Sequence, residues 1–262
     1  MASRGRGSIE GQKLRRNRIA RIAVAEGVIS VAHLADEFGV SPMTVYRDVA
    51  ALEELGLVTL VKGNVHASIS SRSEASADFR LTQNREAKEA IAREAAALVP
   101  IGASIIVDDS TSCLYVLDKL LEQGPYYVIT NSMLVAKKVA ASTESRLQVL
   151  GGEYERWADS LTGTPVYSMI ESLSVDFCFL SCSGIFRDAC YHPYLSIAGI
   201  KSAMMHVAET KMLLVDHTKF ERRSTHKFAN LSDFDVVVTD SDTSLEIQAT
   251  LKESVKKLHV AS

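Results

Sequence analysis

The sequence lacks the long apolar run that a membrane-spanning protein needs. Its longest apolar stretches, such as residues 95–101 and 234–238, are far shorter than the roughly 18 residues that cross a bilayer as a helix. No apolar segment follows the charged N-terminal residues, so the sequence shows no signal peptide. We therefore expect a cytoplasmic protein with no membrane partner.

Cysteine is scarce, and the few cysteines are not spaced as metal ligands. Cys113, Cys178, Cys182 and Cys190 form no Cys-x-x-Cys pair, and His192 does not complete a zinc-binding pattern. Cys178 stands in a mostly apolar run, which is typical of a buried strand. The sequence thus predicts reduced, structural thiols, no metal ion and no cofactor, and a solvated His192 in a loop.

Neither sign of charge is in large excess, which argues against a uniformly basic protein. The 262 residues include 29 Lys and Arg and 32 Asp and Glu, and 47% are hydrophobic. This composition is ordinary for a globular protein and excludes a largely disordered chain. Residues 1–21, however, hold seven basic residues and one acidic residue. A basic arm on an acidic body indicates a polyanionic partner for one end, although a solvated, frayed terminus fits the charge equally well.

The length allows one large domain or two smaller ones, and the sequence pattern favours two. Residues 68–78 are rich in Ser and poor in apolar side chains, so they cannot bury a core and are typical of a linker. We expect a first domain at residues 1–67, this linker at 68–78 and a second domain at 79–262.

The first domain has the pattern of a winged helix-turn-helix. Apolar spacing and turn residues predict three helices and a hairpin, at residues 14–25, 31–38, 42–55 and 57–67. Ser30 is a predicted N-cap, Gly39 closes the second helix, and Ser41 caps the third. The turn Lys62-Gly63-Asn64 would form the tip of the wing. An ordinary three-helix bundle has the same helix spacing and remains an alternative.

In a helix-turn-helix, the third helix enters the DNA major groove. Val45, Val49 and Leu52 face the core, so the other side of this helix points outward. Arginines of the first helix and the wing would contact phosphates, with a salt-dependent contribution. The predicted DNA-binding residues are Ser41, Pro42, Met43, Thr44, Tyr46, Arg47, Arg15, Arg16, Arg18 and Lys62.

Residues 31–58 resemble the DNA-binding domain of DeoR-family bacterial transcriptional regulators. The family pattern V-S-x-M-T-[IV]-x-R-D-[LV]-x-x-L-E-x-x-G is matched from Val40 to Gly56, including Arg47 and Asp48. Tyr46 stands where the family usually has a second Arg, and Asn64 replaces a common Gly. The resemblance implies a winged helix-turn-helix that recognises double-stranded operator DNA.

The second domain alternates helix-like and strand-like segments, which predicts an α/β fold with a doubly wound, mostly parallel sheet. Six strands are predicted, at residues 104–107, 126–130, 147–150, 175–181, 211–215 and 236–239. Six helices are predicted, at residues 86–98, 113–121, 132–141, 159–170, 196–208 and 244–256.

Polar or Gly-rich residues follow most of these strands, at the edge where parallel sheets bind ligands. Hydroxyls and backbone N–H groups at a helix N-terminus suit an anion, although Ser, Thr and Asp are also ordinary helix caps. Their convergence at one edge favours a small-molecule site. The predicted effector-binding residues here are Asp108, Asp109, Ser110, Thr111, Ser112, Asn131, Ser132, Gly151, Gly152, Gly184 and Lys219.

The second domain resembles the sensor domain of the same family, whose fold is related to ribose-5-phosphate isomerase. The matching motifs include Asn84…Lys88, the Asp108–Ser112 run, Asp216-x-Thr-Lys-Phe and Lys201 with Ala203-Met204. The resemblance implies a phosphorylated sugar effector. Ser110, Thr111, Ser112 and Lys219 would bind its phosphate, Lys201 would be a weaker candidate, and Asp108 would bind hydroxyls. Ser110 replaces the usual Gly, and Ile197 stands about where a Glu is frequent.

These patterns together predict a transcriptional repressor of a carbohydrate or polyol utilisation operon, released from its operator by a phosphorylated metabolite. It would act as a homodimer or homotetramer, with no catalytic residues. One alternative is a sugar-phosphate isomerase with an accessory DNA-binding domain, using Asp108, Asp109, Lys201 and Lys219 as base and electrophile. Another is a nonspecific nucleic-acid binder.

Overall fold

The computed structural model describes residues 9–54, 57–67, 74–142, 144–220 and 222–262. The chain divides into two compact units, Met1–Phe79 and Arg80–Ser262. None of the helices in the described ranges has the length and apolar character that crossing a membrane would require.

The first unit is a three-helix domain with a small antiparallel sheet of order β1-β3-β2. Its elements are α1 (Ile9–Glu26), β1 (Val28–Ser30), α2 (Val31–Phe38), α3 (Pro42–Glu54), β2 (Val58–Val61) and β3 (Asn64–Ala67). The predicted helices and hairpin are confirmed. Strand β1 was not expected, because three residues between two helices are too few to show a strand period.

The sequence signals that end and begin these helices act as predicted. The Ser30 hydroxyl accepts the His33 N–H at 3.1 Å and caps α2. Gly39 takes the left-handed conformation, with φ of 60°, and ends that helix. The Ser41 hydroxyl accepts the Thr44 N–H at 3.2 Å at the start of α3. The turn between α2 and α3 is therefore fixed at both ends.

The segment predicted as a linker is structured at its C-terminal end. Residues 68–73 of it lie outside the described residues. Helix α4 (Ala77–Leu81) begins within it, and both Ala75 and Ala77 are buried. A Ser-rich composition gave no sign of this short helix.

The second unit is built on a seven-stranded sheet in which all strand pairs are parallel. The strands are β4 (Ser104–Val107), β5 (Tyr127–Thr130), β6 (Arg146–Val149), β9 (Val175–Leu180), β12 (Ala208–Leu214), β14 (Val236–Asp240) and β15 (Leu258–Ala261). The helices are α5 (Arg85–Ala96), α6 (Thr111–Gln123), α7 (Met133–Ala140), α8 (Thr164–Glu171), α9 (Leu195–His206) and α10 (Leu245–Ser254). The α/β fold and the six expected strands are confirmed, and β15 adds a seventh.

The strand order is β15-β14-β12-β9-β4-β5-β6. The chain runs outward from β4 to β6 and then returns to place β9 on the other side of β4. Ligands of open α/β sheets bind at such a reversal, beyond the carboxyl ends of the strands. Alternate residues of β4 enter two cores, with Ile105 and Val107 on one face of the sheet and Ile106 on the other. Both faces are thus covered, as a parallel sheet requires.

Five short strands described in the second unit lie outside its main sheet and were not predicted. They are β7 (Glu153–Glu155), β8 (Ser160–Thr162), β10 (Gly184–Phe186), β11 (Ala189–His192) and β13 (His226–Asn230). Strands β7 and β8 form a hairpin, and β10, β11 and β13 form a second small sheet. The helix expected at 159–170 is therefore wrong at its start. Gly163 ends β8 at a φ of 92°, and α8 begins with Pro165 in its first turn.

All four cysteines are buried and free. Burial raises the pKa of Cys113, Cys178 and Cys190 well above the ordinary thiol value. These three thiols are therefore protonated and poorly reactive, in agreement with the predicted structural role. The prediction of a solvated His192 in a loop is wrong. His192 is the last residue of β11 and is only 4% exposed.

Candidate DNA-binding surface and effector site

Helix α3 presents one face to the core and the other to solvent. Val45, Val49 and Leu52 are buried. Thr44 is half-buried, and the other five predicted residues of this helix and its cap are exposed, namely Ser41, Pro42, Met43, Tyr46 and Arg47. Met43 is 61% exposed. The helix therefore offers a continuous outward surface of the kind that enters a major groove.

The carboxylate of Asp48 joins α3 to α1. Asp48 is fully buried and accepts hydrogen bonds from Arg15 Nε at 2.6 Å and Arg16 Nε at 2.9 Å. The Gln12 amide also donates to it, at 3.3 Å. Both arginines use Nε for these ion pairs. The predicted phosphate ligands of α1 are thereby held beside α3.

Arg18 and Lys62 are the other predicted phosphate contacts, and both are exposed. Arg18 is 66% exposed, and its Nη2 lies 3.4 Å from Glu37 Oε1. Lys62 is exposed at the wing tip, where Lys62 and Gly63 have positive φ values of 49° and 77°. A β-carbon at Gly63 would lie 3.8 Å from the Tyr46 hydroxyl, so the wing turn and α3 are neighbours. Contact of these residues with DNA stays a prediction.

Asp108 organises the carboxyl end of β4. Its side chain is 1% exposed and accepts the N–H of Ser110 at 2.8 Å, the Ser110 hydroxyl at 2.9 Å and the Ser181 N–H at 3.3 Å. The ammonium of Lys201 on α9 donates to the same carboxylate. Lys201 Nζ also lies 3.1 Å from Ser110 Oγ and 3.6 Å from Asp109 Oδ1. Residues of β4, β9 and α9 are thus brought to one point.

Residues Asp108–Ser112 were alternatively interpreted as ordinary helix caps, but Ser110 does not act as one. Ser110 occupies the N-cap position of α6, yet its side chain makes no capping hydrogen bond and donates to Asp108. Ser110, Thr111 and Ser112 are all buried. The first turn of α6 therefore lacks the side-chain acceptor that an ordinary helix start has.

Within this cluster, Asp109 and Lys201 stabilise each other's charges. Burial acts to raise the pKa of Asp109, but Lys201, Arg80 and His192 lower it below the ordinary value. Burial likewise acts to lower the pKa of Lys201, but Asp108 and Asp109 raise it. Asp109 therefore stays ionised beside the Lys201 ammonium at neutral pH.

Asn131 and Ser132 stand at the end of the adjacent strand, β5. Asn131 is 1% exposed, and its amide nitrogen donates to the Leu161 carbonyl at 2.9 Å. Among the described residues, no group donates to its side-chain oxygen. Ser132 caps α7 and forms a bridge with Ser160, whose hydroxyl donates to Asp109 Oδ2 at 3.3 Å. The β7–β8 hairpin therefore connects the ends of β4 and β5.

Two of the three predicted glycines lie too close to other backbone atoms to accept a side chain. A β-carbon at Gly152 would lie 2.3 Å from the Thr162 carbonyl oxygen, and one at Gly184 would lie 2.1 Å from the Arg222 carbonyl oxygen. At Gly151 the nearest atom would be the Met169 sulfur, at 4.0 Å. Internal packing accounts for Gly152 and Gly184, and an effector contact at these glycines stays a prediction.

A second polar group lies at the end of β12, around Asp216. Asp216 is 1% exposed, and its Oδ1 accepts the Asn84 amide and the Thr218 N–H, both at 3.0 Å. Its Oδ2 has no hydrogen-bond partner within the described part of the chain. Lys219 is half-buried beside it, and the positive charge of Lys219 lowers the pKa of Asp216 against the effect of burial.

The sequence analysis missed several residues of this region. Lys88 is buried in α5, and its Nζ donates to Thr111 Oγ1 at 3.1 Å and to the Arg80 carbonyl at 2.5 Å. The Asn84…Lys88 motif had drawn attention to Lys88 without assigning it to the site. Ser160 and Trp157 lie on the unpredicted hairpin, so no sequence signal marked them.

Comparisons with known proteins agree with this two-part organisation. A family model described as the DeoR C terminal sensor domain matches residues 83–241, and one described as an HTH domain matches residues 15–65. The glycerol-3-phosphate regulon repressor of Escherichia coli (strain K12) is 30% identical over 247 residues, which cover 92% of this chain and 96% of the relative. The transcriptional repressor AccR of Agrobacterium fabrum is 26% identical over 251 residues, covering 95% and 96%.

Among solved structures, a ribose 5-phosphate isomerase from Methanocaldococcus jannaschii has a TM-score of 0.39 and 18% identity. The match covers 53% of this chain and 55% of the isomerase chain.

Proposed function

Since the chain belongs to the DeoR family of DNA-binding transcriptional regulators, we propose that it represses an operon for carbohydrate or polyol use. A phosphorylated sugar or polyol would bind the second unit and release the protein from its operator. The protein would act in the cytoplasm as a homodimer or homotetramer. The observation that carries the effector proposal is the buried Asp108–Lys201 cluster at the uncapped start of α6.

The start of α6 supports binding of the phosphate. The helix dipole and free N–H groups of a first turn attract an anion, and Ser110 does not occupy that place with its own oxygen. Lys88 reaches Thr111 at this turn, and Lys219 follows β12 at the same edge of the sheet. These two cations would add charge-assisted hydrogen bonds to phosphate oxygens.

The buried acceptors support binding of hydroxyl groups. The Asn131 side-chain oxygen and Asp216 Oδ2 are buried without hydrogen-bond donors among the described residues. An unsatisfied buried acceptor costs free energy, which a hydroxyl of a bound sugar or polyol would recover. The Asp108 carboxylate already accepts from Ser110, Ser181 and Lys201, so its role is to position the loop.

The DNA side of the proposal rests on α3 and its surroundings. Two copies of α3, one from each protomer, would read two half-sites and multiply the limited discrimination of one helix. The effector must bind the DNA-free state more tightly than the DNA-bound state, because a ligand with equal affinity for both shifts nothing.

Fluorescence anisotropy with labelled DNA from upstream of the protein's own operon tests the proposal. We expect binding in the absence of effector, and release by one of sn-glycerol 3-phosphate, ribose 5-phosphate and fructose 6-phosphate but not by the unphosphorylated forms. Random DNA of equal length measures specificity, and light scattering measures the oligomeric state. Binding of operator and random DNA with equal affinity would support the nonspecific alternative. Operator binding that no phosphorylated compound reverses would contradict the effector proposal.

Lys219→Ala tests the phosphate site within the same assay. We expect unchanged DNA affinity and a dose–response shifted to higher effector concentration, because one cation near the phosphate is lost. Lys252→Ala, at an exposed position of α10, is the matched control. An unaltered dose–response for Lys219→Ala would remove Lys219 from the site.

We further propose that the protein does not turn over its effector. The named relatives are regulators, and the residues that an isomerase would need are tied together, since the Lys201 ammonium binds Asp108 and Asp109. Incubation of the protein with each phosphorylated compound, followed by NMR of the mixture, should show no isomerised product. Product formation that Asp108→Asn abolishes would support the enzyme alternative.

A further inference from the structure

We infer that Trp157, His192 and Tyr194 form an aromatic wall of the effector site, against which the carbon skeleton of the effector packs. This inference rests on the proposed function. It assigns to these three side chains the selection among phosphorylated sugars and polyols of different length.

The three rings pack together although they come from separate segments. Trp157 lies in the turn of the β7–β8 hairpin, and its ring centroid is 4.7 Å from that of Tyr194 and 6.3 Å from that of His192. The centroids of His192 and Tyr194 are 5.9 Å apart. His192 is buried, while Trp157 and Tyr194 are half-buried and so keep part of their surface accessible.

Both segments that carry the wall also contact the polar cluster. On the hairpin, Ser160 donates to Asp109, and Leu161 N–H donates to the Asn131 carbonyl at 2.8 Å. On the other segment, Tyr194 is the N-cap residue of α9, the helix that brings Lys201 to Asp108. The positive charge of His192 acts directly on the pKa of Asp109. The wall therefore adjoins the carboxylates at the ends of β4 and β5.

The chemistry of the wall complements that of the cluster. The groups around Asp108 and Asn131 are carboxylates, hydroxyls, an amide and an ammonium, which recognise phosphate and hydroxyl groups. The wall supplies the apolar surface on which C–H groups of a sugar or polyol can pack. His192 Nδ1 lies 3.3 Å from the backbone nitrogen of Tyr194 and 3.4 Å from its carbonyl oxygen, so the backbone of Tyr194 orients the imidazole ring.

Arg80 also lies beside the wall. Its guanidinium lies 6.0 Å from the centre of the Trp157 ring, and its charge also lowers the pKa of Asp109. A planar cation beside an aromatic ring holds the ring in place. Trp157 is thus held by Arg80 as well as by Tyr194 and His192.

The chain contains one tryptophan, so its fluorescence reports on this position alone. We expect the emission of wild-type protein to change when the releasing compound is added, with the same midpoint as in calorimetry. Trp157→Leu and Tyr194→Leu should bind that compound about tenfold more weakly and keep their operator affinity. Leu195→Ala, at an exposed position next to Tyr194, should bind like wild type.

The ratio of affinities for different compounds distinguishes aromatic rings that contact the effector from rings that only stabilise the fold. We expect Trp157→Leu to change the ratio of affinities among glycerol 3-phosphate, ribose 5-phosphate and fructose 6-phosphate, and Trp157→Phe to retain most of the wild-type ratio. Equal weakening for all three compounds, or no weakening, would overturn the inference while the proposed function stands. If no phosphorylated compound binds wild-type protein by calorimetry, the proposed function fails and the inference fails with it.

Discussion

The α-carbon of Gly152 faces the carbonyl oxygen of Thr162 so closely that a β-carbon would come within 2.3 Å of it. This contact seats the β7–β8 hairpin, which carries Trp157 and Ser160, against the end of β6. The Val166 side chain would lie 2.8 Å from the same β-carbon. The absence of a side chain at Gly152 is therefore a condition for the position of the hairpin.

We predict that Gly152→Ala destabilises the second unit by about 1–3 kcal/mol, because backbone must move to admit the methyl group. Gly151→Ala is the matched control, since the nearest atom to its β-carbon would be the Met169 sulfur at 4.0 Å. Urea unfolding followed by Trp157 fluorescence measures both. Equal stability of the two variants would show that the hairpin adjusts without cost.

We predict that Asp48→Ala destabilises the first unit by about 1.5–3 kcal/mol, because Arg15 and Arg16 lose a buried, charged acceptor. The measurement is urea unfolding followed by far-UV circular dichroism. Glu37→Gln removes the exposed partner of Arg18 and should change stability by less than about 0.5 kcal/mol. An equally small effect for Asp48→Ala would mean that the buried ion pair makes no net contribution to the free energy of unfolding.

We predict that Arg47→Ala weakens operator binding by about 1–3 kcal/mol with little change in stability, since Arg47 is exposed on the outward face of α3. Anisotropy titration at fixed salt measures the affinity. Glu54→Ala, at the exposed far end of the same helix, serves as the control. Unchanged affinity would remove Arg47 from the interface.

We predict that Lys201→Met destabilises the second unit by about 3–5 kcal/mol, because Asp108 and Asp109 remain buried without their cation. The double variant Asp108→Asn with Lys201→Met should recover part of this loss, since one of the two charges is then removed. Thermal unfolding of the three proteins measures the coupling. A double variant no more stable than Lys201→Met would show that Asp108 and Lys201 do not act as a pair.

We predict that ionisation of Asp216 makes the free energy of unfolding depend on pH. Burial opposes its charge, but Lys219 and Thr218 lower its pKa below the ordinary value of 3.8. The unfolded chain therefore binds a proton at this carboxylate more readily than the folded chain does. The contribution of the ionised Asp216 to the free energy of unfolding is complete above about pH 5 and is lost as pH falls through the lowered pKa.

The acid-dependent fall in the free energy of unfolding should be smaller in Asp216→Asn than in wild type. Urea unfolding at a series of pH values between about 2 and 7 checks this. Asp242→Asn, at an exposed carboxylate after β14, should keep the wild-type dependence. Identical curves for all three proteins would contradict the role of Asp216.

Much of the fold could be predicted because local signals decide it. The caps Ser30 and Ser41 and the left-handed Gly39 were correct, since each acts within a few residues. Six of the seven strands described in the main sheet were predicted as short β-branched runs, and their parallel pairing was predicted from the alternation with helices. The family resemblance is confirmed by the matched models and relatives.

The features that could not be predicted depend on distant contacts or on very short elements. Lys201 and Asp108 are 93 residues apart, and Arg15 and Asp48 are 33 apart. No local pattern announces such pairs. Strands of three residues, such as β7 and β8, show no period, so the helix expected at 159–170 began too early and the place of Trp157 stayed hidden.

The position of β4 in the middle of the sheet has a consequence for protein synthesis. Strand β4 has β5 on one side and β9 on the other, so it has both of its neighbours only once β9 is present. Strand β9 is translated after the β7–β8 hairpin and α8. The recognition helix and the wing leave the ribosome long before that. A nonsense mutation between α4 and β9 would therefore yield a fragment that keeps the DNA-binding unit and cannot assemble the edge around Asp108. Any operator that such a fragment occupies would be insensitive to inducer.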